Sequence, residues 1–206
     1  MVNIGVLISG SGTNLQAIID AIDKGLIKGN IKVIISNRKD AYGLERGKKA
    51  NIESIFIDPK GYSNEEYGRI LVQELKKRDV ELVVLAGFLK ILSKDFIAAY
   101  RNQIINIHPS LIPSFCGKGY YGEKVHRAVL DYGVKYTGAT VHFVDEGADT
   151  GPIILQEVVK VDNNDTVETL REKVLRVEHK ILVEAIRLYC EGKITIEGRK
   201  VIINRE

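Results

Sequence analysis

The sequence predicts an α/β fold, a doubly wound and mostly parallel open sheet with antiparallel strands added in the C-terminal half. The first observation is that short β-branched apolar runs alternate with helix-length amphipathic segments. The second is that these runs lack a strict polar alternation, which is typical of strands buried on both faces. The third is a length of 206 residues with no repeat or linker-like tract, which favours one domain over residues 1–206.

The first half contains five apolar runs that are expected to form parallel strands joined by right-handed crossovers. These runs are Ile4–Ser9, Ile31–Ser36, Ser54–Ile57, Leu82–Leu85 and Ile104–Ile107. A helix is expected over Asn14–Lys24, with Thr13 as its N-cap. Another helix should follow Ser63, because Ser63 and Glu66 have the spacing of a capping box.

The second half predicts an antiparallel pair of strands, a long helix and a small hairpin. The strands are expected over Thr137–Val144 and Ile153–Val161, and the hairpin over Ile194–Ile203. The long helix should begin at Asp165, with Glu168 completing a capping box. A glycine at position 192 provides its C-terminal stop.

Composition excludes several classes of function. The formal charge is 30 − 27 = +3 and the basic residues form no stripe, so we expect no nucleic-acid partner. Cys116 and Cys190 are far apart without a CxxC pattern, which disfavours a disulfide scaffold or a metal site and favours a reduced, cytoplasmic compartment. The N-terminus does not resemble a signal peptide, and no apolar run approaches the roughly 18–20 residues that span a membrane.

The run Ser9–Asn14 (SGSGTN) follows the first strand directly and opens the first helix. Glycines let the backbone approach an anion, and the first-turn amides with the helix dipole attract it. Leu15 stands where a dinucleotide-binding GxGxxG motif has its third glycine, and no acidic residue follows the second strand to hold a ribose. We therefore expect a phosphate site for a ligand smaller than a dinucleotide. The alternative is a tight turn that needs glycine for steric reasons alone.

Asn106 and His108 lie two residues apart at the end of a buried strand, so their side chains project from the same face. The carboxyl ends of parallel strands are where open α/β sheets bind ligands. An asparagine amide there stabilises a developing oxyanion, and a histidine polarises the same carbonyl or transfers a proton. A purely structural histidine is the alternative.

Asp149 lies in the polar loop Asp145–Pro152 between small residues, which would let the loop enter a cleft. Next to His108, its carboxylate would favour the imidazolium ion. The alternatives are an ordinary hairpin loop or a metal loop, and the spacing of a calcium-binding loop is absent.

The other histidines carry weaker signals. His142 is equally compatible with a hydrogen-bonded interior residue and with a partner of the catalytic groups. His126 is expected on a surface helix and His179 on a solvated helix face. Covalent catalysis is not supported, because Ser110 lacks the GxSxG turn and Cys116 has no oriented base.

Four segments in this order resemble the phosphoribosylglycinamide formyltransferase family of the folate formyltransferase superfamily: LISGSGTNLQ, VLAGFLKILS, INIHPSLIPSF and TVHFVDEGADTGPIILQ. The resemblance covers nearly the whole chain. It implies a doubly wound α/β sheet, with a mononucleotide-binding half over residues 1–108 and a folate and catalytic half over residues 109–206.

The resemblance also implies roles by position. Asn106, His108 and Asp149 match the catalytic trio, with Asn106 and Asp149 also contacting the folate. The residues that match the ribonucleotide site are Ser11, Gly12, Thr13, Asn14, Pro109 and Glu178. The residues that match the 10-formyltetrahydrofolate site are Leu85, Phe88, Leu89, Lys90, Ile91, Leu92 and Val144.

Two segments depart from the family pattern. Many relatives carry a ligand-contacting arginine where this chain has Asn64, which cannot supply that charge. The loop Cys116–Gly122 is longer than in some relatives.

The expected activity is transfer of the formyl group of 10-formyltetrahydrofolate to the amine of glycinamide ribonucleotide in purine biosynthesis. The expected ligands are small molecules alone, without metal or ATP, and the expected oligomeric state is a monomer or a weak homodimer. A formyltetrahydrofolate hydrolase, a transferase with another amine acceptor (such as methionyl-tRNA) and a non-catalytic nucleotide-binding module remain alternatives. Chain length disfavours the hydrolase and the tRNA enzyme, whose usual extra domains it does not accommodate.

Overall fold

The computed structural model describes residues 1–204, in which strands and helices alternate as the sequence predicts. The strands are β1 (Val2–Ile8), β2 (Gly29–Ser36), β3 (Ser54–Phe56), β4 (Leu82–Leu85), β5 (Ile104–His108), β6 (Tyr136–Phe143), β7 (Ile153–Lys160), β8 (Ile194–Glu197) and β9 (Lys200–Ile203). The helices are α1 (Thr13–Asp23), α2 (Tyr42–Lys49), α3 (Asn64–Lys76), α4 (Lys94–Ala99), α5 (Glu123–Tyr132) and α6 (Val167–Cys190).

These strands form one mixed sheet in the order β3-β2-β1-β4-β5-β6-β7-β9-β8. The first five strands pair with one another in parallel. β6 is antiparallel to both β5 and β7, and β8 is antiparallel to β9. The predicted fold class is therefore confirmed, including the antiparallel addition and the C-terminal hairpin.

The central strands of the sheet are buried on both faces, as their apolar runs without polar alternation predict. Ile4, Val6 and Ile8 of β1 face a core cluster that includes residues of α1 and α6, whereas Leu7 faces a cluster that includes residues of α3 and α4. Successive strand residues point to opposite faces, so an apolar run on β1 serves both cores.

Strand order places the end of β1 where ligands bind in open α/β sheets. The chain leaves β1 to pair β2 on one side and later returns to pair β4 on the other. The helices that follow the two strands cover opposite faces, and a crevice opens between them at the carboxyl ends of the strands. The loops after β1, β4 and β5 all lie at this edge.

Two predicted helix starts are wrong. Thr13 is the first residue of α1 and not its cap, because Gly12 takes the cap position at φ 71° and leaves the first amides without a side-chain partner. The cap of α6 is Thr166, whose capping box is completed by Thr169 and not by Glu168. The predicted box of Ser63 with Glu66 is confirmed at α3.

Among residues 1–204, no helix combines the length and the apolar character needed to cross a membrane.

Candidate active site

A cavity of about 470 Å³ opens at the carboxyl ends of β1, β4 and β5. The predicted site residues on its wall are Ser11, Thr13, Asn14, Leu85, Phe88, Leu89, Lys90, Ile91, Leu92, Asn106, His108, Pro109, Val144, Asp149 and Glu178. Segments that are up to 167 positions apart thus meet at one site. Of the predicted residues, only Gly12 does not line the cavity.

Gly12 lies behind the wall and packs against the first turn of α2. A Cβ atom at Gly12 would lie 2.6 Å from the Cα atom of Gly43, and φ of Gly12 is +71°. Glycine is therefore required here for backbone contact and for a left-handed conformation. The alternative that glycine is needed for steric reasons therefore applies at Gly12, while its neighbours Ser11 and Thr13 face the cavity.

Ser9 joins this loop to the segment that follows β4. Its side chain is buried, its hydroxyl donates to Asn37 Oδ1 at 2.7 Å, and it accepts from the backbone amide of Leu89 at 2.9 Å. The loop after β1 and the segment after β4 are therefore held in a fixed relative position.

Strand β5 places Asn106 and His108 at the centre of the cavity. Asn106 is opposite His142 of β6 in the sheet register, and Asn106 Nδ2 lies 3.1 Å from His142 Nε2. His142 Nδ1 lies 2.7 Å from the carbonyl oxygen of Phe143. Because a carbonyl only accepts, Nδ1 carries the hydrogen, and Nε2 of the neutral ring accepts from Asn106. The Asn106 amide is thereby oriented with its second N–H available to a ligand.

The sequence left His142 open as either an interior residue or a partner of the catalytic groups, and the structure supports both. It is 1% exposed, as an interior residue would be. It also lies 3.6 Å from Asp149 Oδ1 through Nε2. His142 is a buried partner of both Asn106 and Asp149.

The predicted proximity of His108 and Asp149 is present. His108 Nδ1 lies 3.6 Å from Asp149 Oδ2, and His108 Nε2 lies 2.9 Å from the carbonyl oxygen of Phe115. Since that carbonyl must accept, Nε2 carries the hydrogen of the neutral ring. The proton that distinguishes imidazole from imidazolium therefore binds at Nδ1, on the side of Asp149.

The charge state of His108 differs from the expectation. Burial lowers the pKa of His108 and outweighs Asp149 and the Phe115 carbonyl, which both raise it. The predicted direction of the Asp149 effect is right, but burial has the larger effect, so the pKa of His108 lies below its ordinary value. For Asp149, burial acts to raise the pKa, yet the neighbouring His142 and His108 rings and the backbone amide of Gly117 together keep it below the ordinary value.

Asp149 is held in place by backbone geometry. Its φ is +58°, in the left-handed region that non-glycine residues seldom adopt. Its Oδ2 accepts the backbone N–H of Gly117 at 2.9 Å. The loop Cys116–Gly122 is therefore tied to the acid, and residues 117–122 of this loop line the cavity.

The segment after β4 leaves apolar side chains open to the cavity. Leu89 is 55% and Ile91 is 70% exposed, although both are large aliphatic residues. Lys90 Nζ stands 5.3 Å from the ring centroid of Tyr67. Asn64 lines a smaller hollow beside Lys90 and Tyr67. An exposed apolar surface at a cavity is the expected environment for a flat ring system.

Glu178 of α6 lines the cavity beside Asn14 and is buried there. Its Oε2 accepts from Asn14 Nδ2 at 2.8 Å. Burial raises the pKa of Glu178, and the hydrogen bond of Asn14 and the charge of Arg171 act in the other direction without offsetting burial. The Asn14 side chain also leaves a buried Oδ1 that finds no partner within residues 1–204.

Sequence reasoning missed several residues of the wall, notably His126, Arg171, Leu175 and Tyr121. His126 was expected on the surface but is 2% exposed, and burial lowers its pKa to about 4. Val125 and Val129 are buried on the same helix, and this apolar spacing was the available signal. His179 is likewise half-buried and not solvated, and burial lowers its pKa.

No group of three or more His, Cys, Asp and Glu side chains in the described part of the chain is arranged to hold a metal ion. Asn106, His108, Asp149 and Glu178 each have a hydrogen-bond partner in the protein.

Comparison with known proteins relates the chain to one family. Residues 2–186 match the Formyl transferase family. A structure of glycinamide ribonucleotide transformylase 1 from Symbiobacterium toebii is 49% identical, with a TM-score of 0.94, over 98% of this chain and 94% of that one.

Two curated relatives are similar over the same region. Phosphoribosylglycinamide formyltransferase of Escherichia coli (strain K12) is 41% identical over 93% of this chain and 89% of its own length. The chloroplastic phosphoribosylglycinamide formyltransferase of Vigna unguiculata is 41% identical over 98% of this chain, which spans 66% of that longer protein. The chain belongs to the formyl transferase family.

Proposed function

We propose that the protein transfers the formyl group of 10-formyltetrahydrofolate to the amine of glycinamide ribonucleotide, giving formylglycinamide ribonucleotide and tetrahydrofolate in purine biosynthesis. The observation that carries this proposal is the continuity of one cavity. A phosphate-type loop (Ser11, Thr13), a polar centre (Asn106, His108) and an apolar segment after β4 line it together. A phosphorylated amine and a folate would meet at the polar centre.

The ribonucleotide end is assigned by its donors and its acid. The first turn of α1 presents backbone amides that suit a phosphate. Glu178 of α6 offers a carboxylate that suits hydroxyl or amine donors of the same substrate. Pro109, which directly follows His108 in the chain, also lines the wall.

The folate end is assigned by shape and polarity. Leu85, Leu92 and Val144 contribute apolar wall, and Leu89 and Ile91 are open to a ring. The formyl group would then extend toward Asn106.

The reaction follows from the geometry of Asn106 and His108. The free amine attacks the formyl carbon, a C–N bond forms, and negative charge develops on the formyl oxygen. The free N–H of the Asn106 amide stabilises that charge. His108 takes a proton at Nδ1, and the resulting imidazolium is stabilised by Asp149 Oδ2 at 3.6 Å.

The second half of the reaction breaks the bond between the formyl carbon and the folate nitrogen. The proton lost by the attacking amine is delivered to that nitrogen, with His108 as the relay. The lowered pKa of His108 keeps the ring neutral and so able to accept the proton, and it makes the imidazolium that forms a stronger acid, which gives the proton up. The formyl group arrives already activated on the folate, so the reaction has no step for ATP and no covalent formyl-enzyme.

We extend the proposal to a small-molecule enzyme that acts in the cytoplasm as a monomer or weak homodimer, without a nucleic-acid partner. The division of ligand binding at residue 108 is part of the same proposal, although residues of the expected folate site after β4 precede that boundary.

The test is the deformylation of 10-formyltetrahydrofolate, or of a formylated dideaza analogue, followed by absorbance with and without glycinamide ribonucleotide. Turnover that requires the ribonucleotide is the expected result. Turnover without an acceptor would instead support the hydrolase. No turnover by a folded sample would favour another amine acceptor or a non-catalytic binding module.

A further inference from the structure

Helix α2 donates two hydrogen bonds to backbone carbonyl groups of the phosphate-type loop that follows β1. The backbone N–H of Gly43 donates to the carbonyl oxygen of Gly10 at 3.0 Å. Arg46 Nε donates to the carbonyl oxygen of Ser11 at 2.8 Å. Two consecutive carbonyl groups of the loop therefore point toward α2.

The direction of these carbonyls determines the direction of the next two amides. In a trans peptide, the C=O and the following N–H point in opposite directions. The Ser11 carbonyl faces Arg46, so the N–H of Gly12 points away from α2. The Gly10 carbonyl faces Gly43, so the N–H of Ser11 also points away.

These two N–H groups have no internal acceptor. Within residues 1–204, neither the Ser11 amide nor the Gly12 amide donates to a backbone or side-chain group. Ser11 and Thr13, on either side of Gly12, line the cavity. Unsatisfied backbone donors at a cavity are what an anionic ligand requires.

Arg46 is itself fixed by three contacts. Its Nη1 donates to Gln16 Oε1 of α1 at 3.1 Å, and its guanidinium carbon lies 5.0 Å from the Tyr42 ring centroid. It thus spans from α2 to both the loop and α1. The fork of a guanidinium supplies two donors in a fixed geometry, which a lysine ammonium does not reproduce.

We propose that Arg46 is a positioning residue for the ribonucleotide phosphate. It holds the Ser11–Gly12 peptide so that the amides of Ser11 and Gly12 face the phosphate. Arg46 is absent from the cavity wall, so it acts through the loop and not by contact with the substrate. This inference deepens the proposed function and rests on it.

The experiment compares Arg46→Met, Arg46→Lys and the control Arg38→Met by calorimetric titration with ribose 5-phosphate. The control removes the same charge from an exposed arginine that pairs with Asp40. Both Arg46 variants are expected to bind about tenfold more weakly than the unaltered chain, as loss of one charge-assisted hydrogen bond implies. The control should bind as the unaltered chain does.

Steady-state kinetics supply the second readout. The KM for glycinamide ribonucleotide should rise about tenfold in both Arg46 variants, with kcat and the KM for the folate unchanged. A general loss of structure would change all three constants. Thermal unfolding checks that each variant is folded. If Arg46→Met does not fold, Arg46→Lys still provides the test.

Each other outcome has a separate meaning. Binding by Arg46→Lys that equals that of the unaltered chain would overturn the positioning role, because the positive charge alone would then suffice. Unchanged binding by Arg46→Met would also overturn it. Failure of the unaltered chain to bind ribose 5-phosphate would overturn the phosphate site itself. Arg46-dependent binding without formyl transfer would refute the proposed reaction and leave the positioning role intact.

Discussion

The carboxylate of Asp149 lies 3.6 Å from Nδ1 of His108, on the only side of the ring where a proton is gained or lost. The other ring nitrogen is committed to the carbonyl of Phe115. This arrangement separates two functions of the imidazole. One nitrogen fixes its orientation, and the other exchanges a proton beside a negative charge.

Replacing Asp149 with asparagine keeps the shape of the side chain and an acceptor for the Gly117 amide, but removes the charge that stabilises the imidazolium. We expect kcat to fall by about 10²- to 10⁴-fold. Because Asp149 raises the pKa of His108, its loss should move the limb of the pH–rate profile that reports His108 to lower pH. Asp40→Asn, at an exposed carboxylate, is the matched control. Unaltered turnover with an unshifted profile would refute the role of Asp149.

Removing the Asn106 amide should affect the transition state more than substrate binding. Asn106→Ala is expected to lower kcat by roughly 10²- to 10³-fold, the usual effect of losing one oxyanion donor, with little change in either KM. Separate saturation curves for the two substrates would measure this. A rise in KM at constant kcat would instead indicate that Asn106 contributes to ground-state binding.

A methyl group at Gly12 should disrupt the loop, whereas one at Gly10 should not. The Cβ of Gly12→Ala would lie 2.6 Å from Gly43 Cα at φ +71°, while a Cβ at Gly10 meets no atom within 4 Å. We expect Gly12→Ala to lower the free energy of unfolding by at least about 1 kcal/mol. Gly10→Ala should leave it unchanged. Urea unfolding of both variants measures the difference, and equal stabilities would contradict the close contact between Gly12 and Gly43.

Burial of His126 should make stability depend on pH in the acid range. Its pKa is lowered from 6.5 to about 4 by burial, with further contributions from the charges of Arg171 and His108. The unfolded chain therefore binds a proton as pH falls through 6.5, and the folded chain does so only near 4. Stability is thus lost as pH falls through this window.

The size of this effect is roughly 3 kcal/mol, the free energy that corresponds to the lowering of the His126 pKa. His126→Gln removes the titration, so its unfolding free energy should decline less than that of the unaltered chain between pH 6.5 and 4. Urea unfolding at several pH values compares the two. Parallel curves would mean that folding does not lower the pKa of His126.

The fold class was predictable because local patterns encode it. The apolar runs of β1 and β4 lack polar alternation, which already requires burial on both faces. The Ser63 and Glu66 spacing located the start of α3 correctly. The helix starts predicted at Thr13 and Asp165 were wrong. Which residue caps a helix depends on which of several neighbouring groups hydrogen-bonds to the first turn, and Gly12 and Thr166 are equally compatible with the cap position.

What the sequence determined by itself is the strands and their order in the chain, the helices α1, α3 and α6, and the presence of polar side chains at the ends of buried strands. Asn106 and His108 were identifiable because two residues of one strand must share a face. Tertiary structure alone decided that Asp149, 41 positions after His108, returns to its ring. It also decided that burial outweighs this acid in its effect on the pKa of His108, because solvation depends on the atoms of every segment packed around a group and not on its neighbours in sequence.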